Sequence, residues 1–449
     1  MASSQLAIIV LAAGMGTRMK SDLPKVMHPL AGRPMVSHLM DTISGLNPDR
    51  VVVVVGPGMD QVAEAVAPAK TVVQGERQGT GHAVRQAREA LADFTGDVLV
   101  LYGDTPLITR ETLERMLAER RGPKDPAVVV LGFKPRDAGH YGRLVVGAEG
   151  LKAIVEWKDA NHDQREIPLC NSGVMAIDGN RLWGLVERIG NDNAKGEYYL
   201  TDLVSLARAD GATCSFVLGE EEELLGVNSR VELADAEAVA QARLRDRAME
   251  DGATLIDPAS VWFAWDTKLG RDVVVWPHVV FGPGVTVGDG VVIKGFCHFE
   301  QCSIADGADV GPYARLRPGA EVGARCHVGN FVEIKKAVLE DGAKVNHLTY
   351  VGDARVGAGA NVGAGTITCN YDGFNKSFTD IGAGAFIGSN SSLVAPIKIG
   401  AGAIVGAGSV VTRDVSPGAL AVTRANQMEL SGWADRFRDK KRADKPNGK

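Results

Sequence analysis

The chain has 449 residues, 45% of them hydrophobic and 23% charged, with a formal net charge of -6. This is ordinary globular composition, long enough for two or three domains, and it lacks the basic stripe of a nucleic-acid footprint. The apolar run at residues 6–13 is too short and too poorly flanked for a signal peptide or a membrane span, so a cytoplasmic protein without a membrane partner is expected.

Residues 1–228 alternate helical patterns with continuous apolar runs at 6–11, 51–55, 97–102 and 127–133. Such runs read as strands buried on both faces. Their alternation with helices predicts an α/β domain with a mainly parallel, Rossmann-like sheet. Ligands of that architecture sit beyond the carboxyl ends of the strands.

The first run ends in Leu11-Ala12-Ala13-Gly14-Met15-Gly16-Thr17-Arg18-Met19, followed by Pro24-Lys25. Glycines there let backbone N–H groups approach a phosphate. Arg18 offers a planar fork and Lys25 a point charge. The loop lacks the Lys-Ser/Thr ending of a P-loop and one of the three Rossmann glycines, and a lone Gly-x-Gly also fits a plain turn. Between strand and helix signals, Gln74 and Gly79-Thr80-Gly81-His82 offer an amide and bare backbone to a base edge. Tyr102-Gly103-Asp104 closes another apolar run, where a carboxylate could hold Mg²⁺ or merely finish a turn.

Residues 229–250 contain no Gly or Pro, and Leu233, Ala236, Ala240, Leu244 and Ala248 recur at helical spacing, so a single connecting helix is expected. The chain then beats in sixes. Val275, Phe281, Val287, Ile293 and Phe299 begin a run that continues through Ile334 and resumes from Ile381 to Val411. Fixed self-similarity at six residues marks a hexapeptide parallel β-helix from about 251 to 415, with about 18 residues per triangular coil. Residues 416–449 leave this register, and the basic stretch from Arg436 onward reads as a solvated, partly disordered tail. Cys170, Cys214, Cys297, Cys302, Cys326 and Cys369 show no zinc spacing and read as free thiols.

The breaks in the sixes are informative. Steps of five occur at Ile334–Leu339 and Val351–Val356, and thirteen residues separate Thr368 from Ile381. The latter stretch holds Asn370-Tyr371-Asp372-Gly373, Phe374 and Phe378, which do not suit an inward stack and should bulge as a loop. The count stacks Arg317 on Lys335, roughly one strand spacing of 4.8 Å apart. Two like charges so close either hold an anion or form a solvated basic edge. The same count places Ser389 and Ala407 on that corner column and His347 one side round the triangle. One subunit would then leave the site open, and closure across a subunit boundary would complete it. An isolated His in such a fold can be mere packing, but a neutral imidazole is also a competent base.

The glycine loop with its Thr-Arg-Met and Pro-Lys continuation resembles sugar-1-phosphate nucleotidyltransferases. With the hexapeptide half added, the chain resembles the bacterial bifunctional family that fuses a UDP-N-acetylglucosamine pyrophosphorylase to a glucosamine-1-phosphate N-acetyltransferase. The resemblance runs from Leu11 to about Arg424. It implies a nucleotidyltransferase domain at 1–228, a linker helix at 229–250, and a left-handed parallel β-helix with a C-terminal tail at 251–449. It implies that Leu11, Ala12, Ala13, Gly14, Lys25, Gln74, Gly79, Thr80, Tyr102, Gly103 and Asp104 bind UTP, with Arg18 and Lys25 catalytic. Asp104 and Asn228 would hold Mg²⁺. Gly142, Glu156, Asn171 and Asn228 would surround the N-acetylglucosamine 1-phosphate. Arg317, Lys335, Tyr350, Asn361 and Lys376 would bind glucosamine 1-phosphate, with His347 as the base. Ala364, Asn370, Tyr371, Ser389, Ala407 and Arg424 would line the acetyl-CoA site of a homotrimer. The pathway so implied feeds peptidoglycan and lipopolysaccharide.

The nearest rival is a single-activity nucleotidyltransferase with a regulatory β-helix, which has no use for Arg317, Lys335, His347 and Asn370 together. A non-enzymatic scaffold has no use for Lys25, Asp104 and Asn228. Departures from the family pattern are confined to Met15 in the glycine loop and Asn346 before the histidine.

Overall fold

The structure, a computed structural model, describes residues 5–444. Two compact units divide within the helix Arg230–Glu250. One reaches Asp246 and includes Phe263–Trp265; the other comprises Arg247–Trp262 and the chain from Asp266 onward.

The first unit is a twisted sheet with strand order Cys214–Leu218, Val128–Phe133, Cys170–Asp178, Asp97–Tyr102, Leu6–Leu11, Arg50–Val55 and Lys70–Val73. Leu6–Leu11 is central and pairs in parallel with both neighbours, Leu11 lying opposite Tyr102 on one side and Val54 on the other. Its residues Ala7 to Val10 are fully buried, because helices cover both faces of the sheet. The loops after Leu11 and Tyr102 therefore open side by side at one sheet edge. The sheet is mainly parallel, as the apolar runs imply, with one strand and a hairpin as exceptions. Cys170–Asp178 runs antiparallel to both its neighbours, and an antiparallel hairpin, Arg143–Gly147 with Gly150–Val155, hangs from it. Cys170–Asp178, with Asn171 and Ser172 near its start, is not one of the continuous apolar runs, so its direction is not legible there.

The second unit stacks short parallel strands in three columns, the architecture of a left-handed parallel β-helix of hexapeptide repeats. Phe281, Ile293, Phe299, Leu316, Val328, Ile334 and Val345 point inward and are fully buried. Phe281 packs on Phe299 with ring centroids 5.6 Å apart. Burying such side chains contributes about 1.5–3 kcal/mol each, which is what holds strands of only two or three residues in place.

The end of the unit departs from expectation. The register does not stop near 415, since Leu420–Ala421 adds one more parallel strand on Ile404–Val405. The tail is not formless either: Trp433–Ala443 is an exposed helix with Trp433 stacked on Phe437. An aromatic pair four residues apart supports a helix that net charge alone argues against. Residues 445–449 of the expected tail lie outside the described residues.

Candidate active sites

The cleft of the first unit, about 270 Å³, is walled by Leu11, Ala12, Ala13, Gly14, Lys25, Gln74, Gly79, Thr80, Tyr102 and Asp104. Ten of the expected nucleotide residues thus converge from four separate loops. Gly16 has φ 66°, and a Cβ on it would come within 2.6 Å of the Lys25 Cβ. The glycine is needed there so that the loop can fold over the lysine stem. Gly79, at φ 111°, would bring a Cβ within 2.6 Å of the Tyr198 carbonyl oxygen. Gln74 is buried and donates its amide to the Gly79 carbonyl at 3.2 Å. The Thr80 hydroxyl accepts the Leu200 N–H at 3.0 Å. Gly103 lies behind the wall, its N–H donating to the Leu11 carbonyl at 3.0 Å. Arg18 stands exposed on the short turn Thr17–Met19 and is not among the walling residues.

Lys25 forms an ion pair with Asp104 and donates to the Asn228 amide oxygen at 2.9 Å. The two expected metal ligands therefore converge on one point, which an ammonium occupies. Two oxygen donors meeting at a cation suit Mg²⁺, which takes one or two protein oxygens and completes its shell with water and phosphate. Asn228 is itself fixed, its N–H donating to Glu232 at 2.6 Å.

Gly142, Glu156 and Asn171 gather beyond Tyr102. The Asn171 N–H donates to the Gly142 carbonyl at 2.8 Å, and a Cβ on Gly142 would meet the Glu156 carboxylate at 3.5 Å. Gly173 lies against the Tyr102 ring, where a Cβ would come within 2.7 Å. Burial holds the Glu156 carboxyl above its usual range and pushes the Tyr102 phenol up as well. Two contributors had no assigned role in the sequence. Arg77 walls the cleft and donates to the Ala13 carbonyl at 3.0 Å, bracing the glycine loop. Arg143 is 1% exposed and donates to the carbonyls of Ala138, Gly139, Tyr141 and Arg165, bracing the turn that ends at Gly142. Both targets are carbonyls, which no side-chain pattern reveals.

On the β-helix, Leu316 pairs with Ile334 and the Arg317 N–H donates to the Ile334 carbonyl, so Arg317 and Lys335 do stack. The stretch after Thr368 does bulge. Asn370 and Ser377 close a hairpin at 2.8 Å, and Phe374 at its tip is 92% exposed. The hairpin carries Lys376 to Lys335, and repulsion from Lys376, then from Arg317, pulls the Lys335 ammonium below its usual range. Arg317 also pairs with Glu333 at 2.7 Å, and Tyr350 follows Glu333 one coil on. Asn361 follows Lys344 in the same way. The Asn370 amide donates to Asp353 at 2.5 Å, while Tyr371 is exposed and donates to the Gly373 carbonyl.

His347 is exposed, and its Nδ1–H donates to the Asn330 amide oxygen at 2.6 Å. The column it belongs to corrects the sequence count. The His347 carbonyl accepts from Gly365, the Ala364 carbonyl from Asn390, and the Ser389 carbonyl from Gly408, at 3.2, 2.7 and 2.8 Å. Ala364, Ser389 and Ala407 therefore continue the His347 column and do not share the Arg317–Lys335 column. The latter continues through Gly352 and Cys369 to Val394. Those coils advance by 17, 17 and 25 residues. A strict count of 18 consequently drifts by about one side of the triangle. Arg424 donates to the Ala407 carbonyl at the top of the His347 column.

Residues 8–168 match the model of the MobA-like NTP transferase domain, and residues 266–301 and 378–413 match that of the bacterial transferase hexapeptide (six repeats). The chain is 77% identical over 445 residues to the bifunctional protein GlmU of Paramagnetospirillum magneticum, covering 99% of each. It is 64% identical to that of Rhodospirillum rubrum over 97% of this chain and 98% of the relative. It is 56% identical to that of Paracoccus denitrificans over the whole of both. The chain belongs to the GlmU family. Each of these relatives is named as a bifunctional protein and aligns with this chain over at least 97% of it. Among the described residues no helix is long and apolar enough to cross a membrane.

Proposed function

We propose that the chain makes UDP-N-acetylglucosamine in two steps at two sites. The β-helix acetylates glucosamine 1-phosphate with acetyl-CoA. The α/β cleft then joins the product to UMP from UTP and releases pyrophosphate. The product serves as a precursor of peptidoglycan and lipopolysaccharide.

The convergence of Lys25, Asp104 and Asn228 under the glycine loop carries the uridylyl half. The sugar phosphate oxygen attacks the α-phosphorus, the new P–O bond forms, and the bond to pyrophosphate breaks. Attacker and target are both anions, so positioning and neutralisation dominate. Loop N–H groups receive the triphosphate, and Lys25 supplies a positive charge beside it. Asp104 and Asn228 would hold Mg²⁺, which adds further neutralisation when bound. Gly142, Glu156 and Asn171 orient the sugar, and Gln74, Gly79 and Thr80 the base. Arg18 is assigned to the leaving pyrophosphate, for which its exposed turn leaves it free to close.

His347 on one column, with the cations Arg317, Lys335 and Lys376 gathered on the next, carries the acetyl half. The cations hold the sugar phosphate, with Tyr350 and Asn361. The amine sheds its ammonium proton, then attacks the thioester carbonyl. Nε2 accepts a second amine proton as the C–N bond forms. The C–S bond breaks, and that proton leaves with the CoA sulfur. Ala364, Asn370, Tyr371, Ser389, Ala407 and Arg424 line the acetyl-CoA path. A homotrimer belongs to this reading, supported by the exposed rings of Phe296, Tyr313 and Phe331. They stack along the corner that leads to Leu348 beside His347. The test uses two variants: Lys25→Ala should lose only uridylyl transfer and His347→Ala only acetyl transfer. A mixture of the two should again make product from glucosamine 1-phosphate. Joint loss of both activities in either folded variant would overturn the two-site reading.

A further inference from the structure

Asn330 and His347 occupy matched positions on adjacent coils. The strands His327–Asn330 and Lys344–His347 are parallel, with Asn330 paired to His347. Each residue precedes a left-handed corner, Phe331 at φ 55° and Leu348 at φ 50°. The two side chains therefore leave the corner in the same direction, about one strand spacing apart. The result is the contact of 2.6 Å between Nδ1 and the amide oxygen.

An amide oxygen only accepts, so Nδ1 carries the proton and Nε2 keeps its lone pair. Thr349 adds a second restraint, its hydroxyl donating to the His347 carbonyl at 2.7 Å. We infer that Asn330 is a positioning residue for acetyl transfer: it fixes the tautomer and ring angle that aim Nε2 at the substrate amine. The inference rests on the acetyl-transfer reading above and adds the group that makes the histidine competent. A neutral orienting group holds the ring without drawing charge onto it, as a carboxylate would. The charged and titratable groups on the strands packed around His347 are His327 and Lys344 on its own column, and Glu333, Lys335, Lys336, Tyr350, Asp353 and Arg355 on the next. Glu333 is committed to Arg317.

The experiment compares Asn330→Ala, Asn330→Asp and His347→Ala in the full-length protein, with pH profiles of acetyl transfer and uridylyl transfer as the internal control. Asn330→Ala should lower kcat about 10- to 100-fold, with little change in KM for either substrate. Asn330→Asp should keep much of the rate, while its charge moves the acid limb of the profile to higher pH by about one unit. A structural role alone would not move that limb. Normal kcat in Asn330→Ala, or an unmoved limb in Asn330→Asp, overturns the inference if His347→Ala is inactive. Activity in His347→Ala would instead overturn the acetyl-transfer reading itself.

Discussion

Lys25 meets two oxygens that belong to different strands' loops, and it brings a positive charge to the cleft wall. Its replacement by Ala should lower uridylyl transfer on the order of 10³-fold, measured as pyrophosphate release, while thioester cleavage stays unchanged. Glu156 offers a test by pH. Burial raises its carboxyl pKa in the folded chain, so the folded state holds its proton more tightly than the unfolded state does. Its charged form therefore costs stability, and that cost appears as pH rises from the unfolded value through the raised one. Glu156→Gln should melt about 1–3 °C higher at neutral pH and lose affinity for N-acetylglucosamine 1-phosphate. Equal melting temperatures from pH 4 to pH 8 would contradict this. The glycine loop was legible as a candidate phosphate site through its Gly-x-Gly with the Thr-Arg-Met and Pro-Lys continuation. Arg77 and Arg143 were not, because each acts on carbonyls brought near only by the sheet order.

At the scale of elements, the register slips decide where chemistry occurs. The five-residue steps and the hairpin after Thr368 were legible as interruptions of a strict period, since a missing inward residue is visible in the sequence. Their cumulative effect is not visible in a strict count of 18, which keeps Arg317 over Lys335 and His347 one side away but sets Ser389 and Ala407 on the wrong column. The corrected register sets Asn330, His347, Ala364, Ser389 and Ala407 along one corner, with Arg317 and Lys335 along another. Replacing residues 371–376 by a short glycine turn should remove Lys376 and raise KM for glucosamine 1-phosphate at least about tenfold, the value of one charge-assisted contact. The melting temperature should change little, because the tip at Phe374 is fully outside the packed coils. In the other unit, Arg143→Met should lower stability by about 2–4 kcal/mol in urea titration, since four carbonyls lose a charged donor.

For the whole molecule, the six-residue period gave the β-helix its shape and its coil size, and the alternating apolar runs gave the α/β unit its class. The antiparallel strand Cys170–Asp178 and the helix Trp433–Ala443 came only with the structure. Each unit keeps its own core and its own cluster of cations, which is why two separable activities on one chain is the central claim. The most direct measurement incubates the wild-type protein with glucosamine 1-phosphate, acetyl-CoA, UTP and Mg²⁺ and follows CoA, pyrophosphate and nucleotide sugar together. The account predicts all three products, no nucleotide sugar when acetyl-CoA is left out, and recovery when N-acetylglucosamine 1-phosphate is added instead. Nucleotide sugar formed from glucosamine 1-phosphate without release of CoA would contradict it.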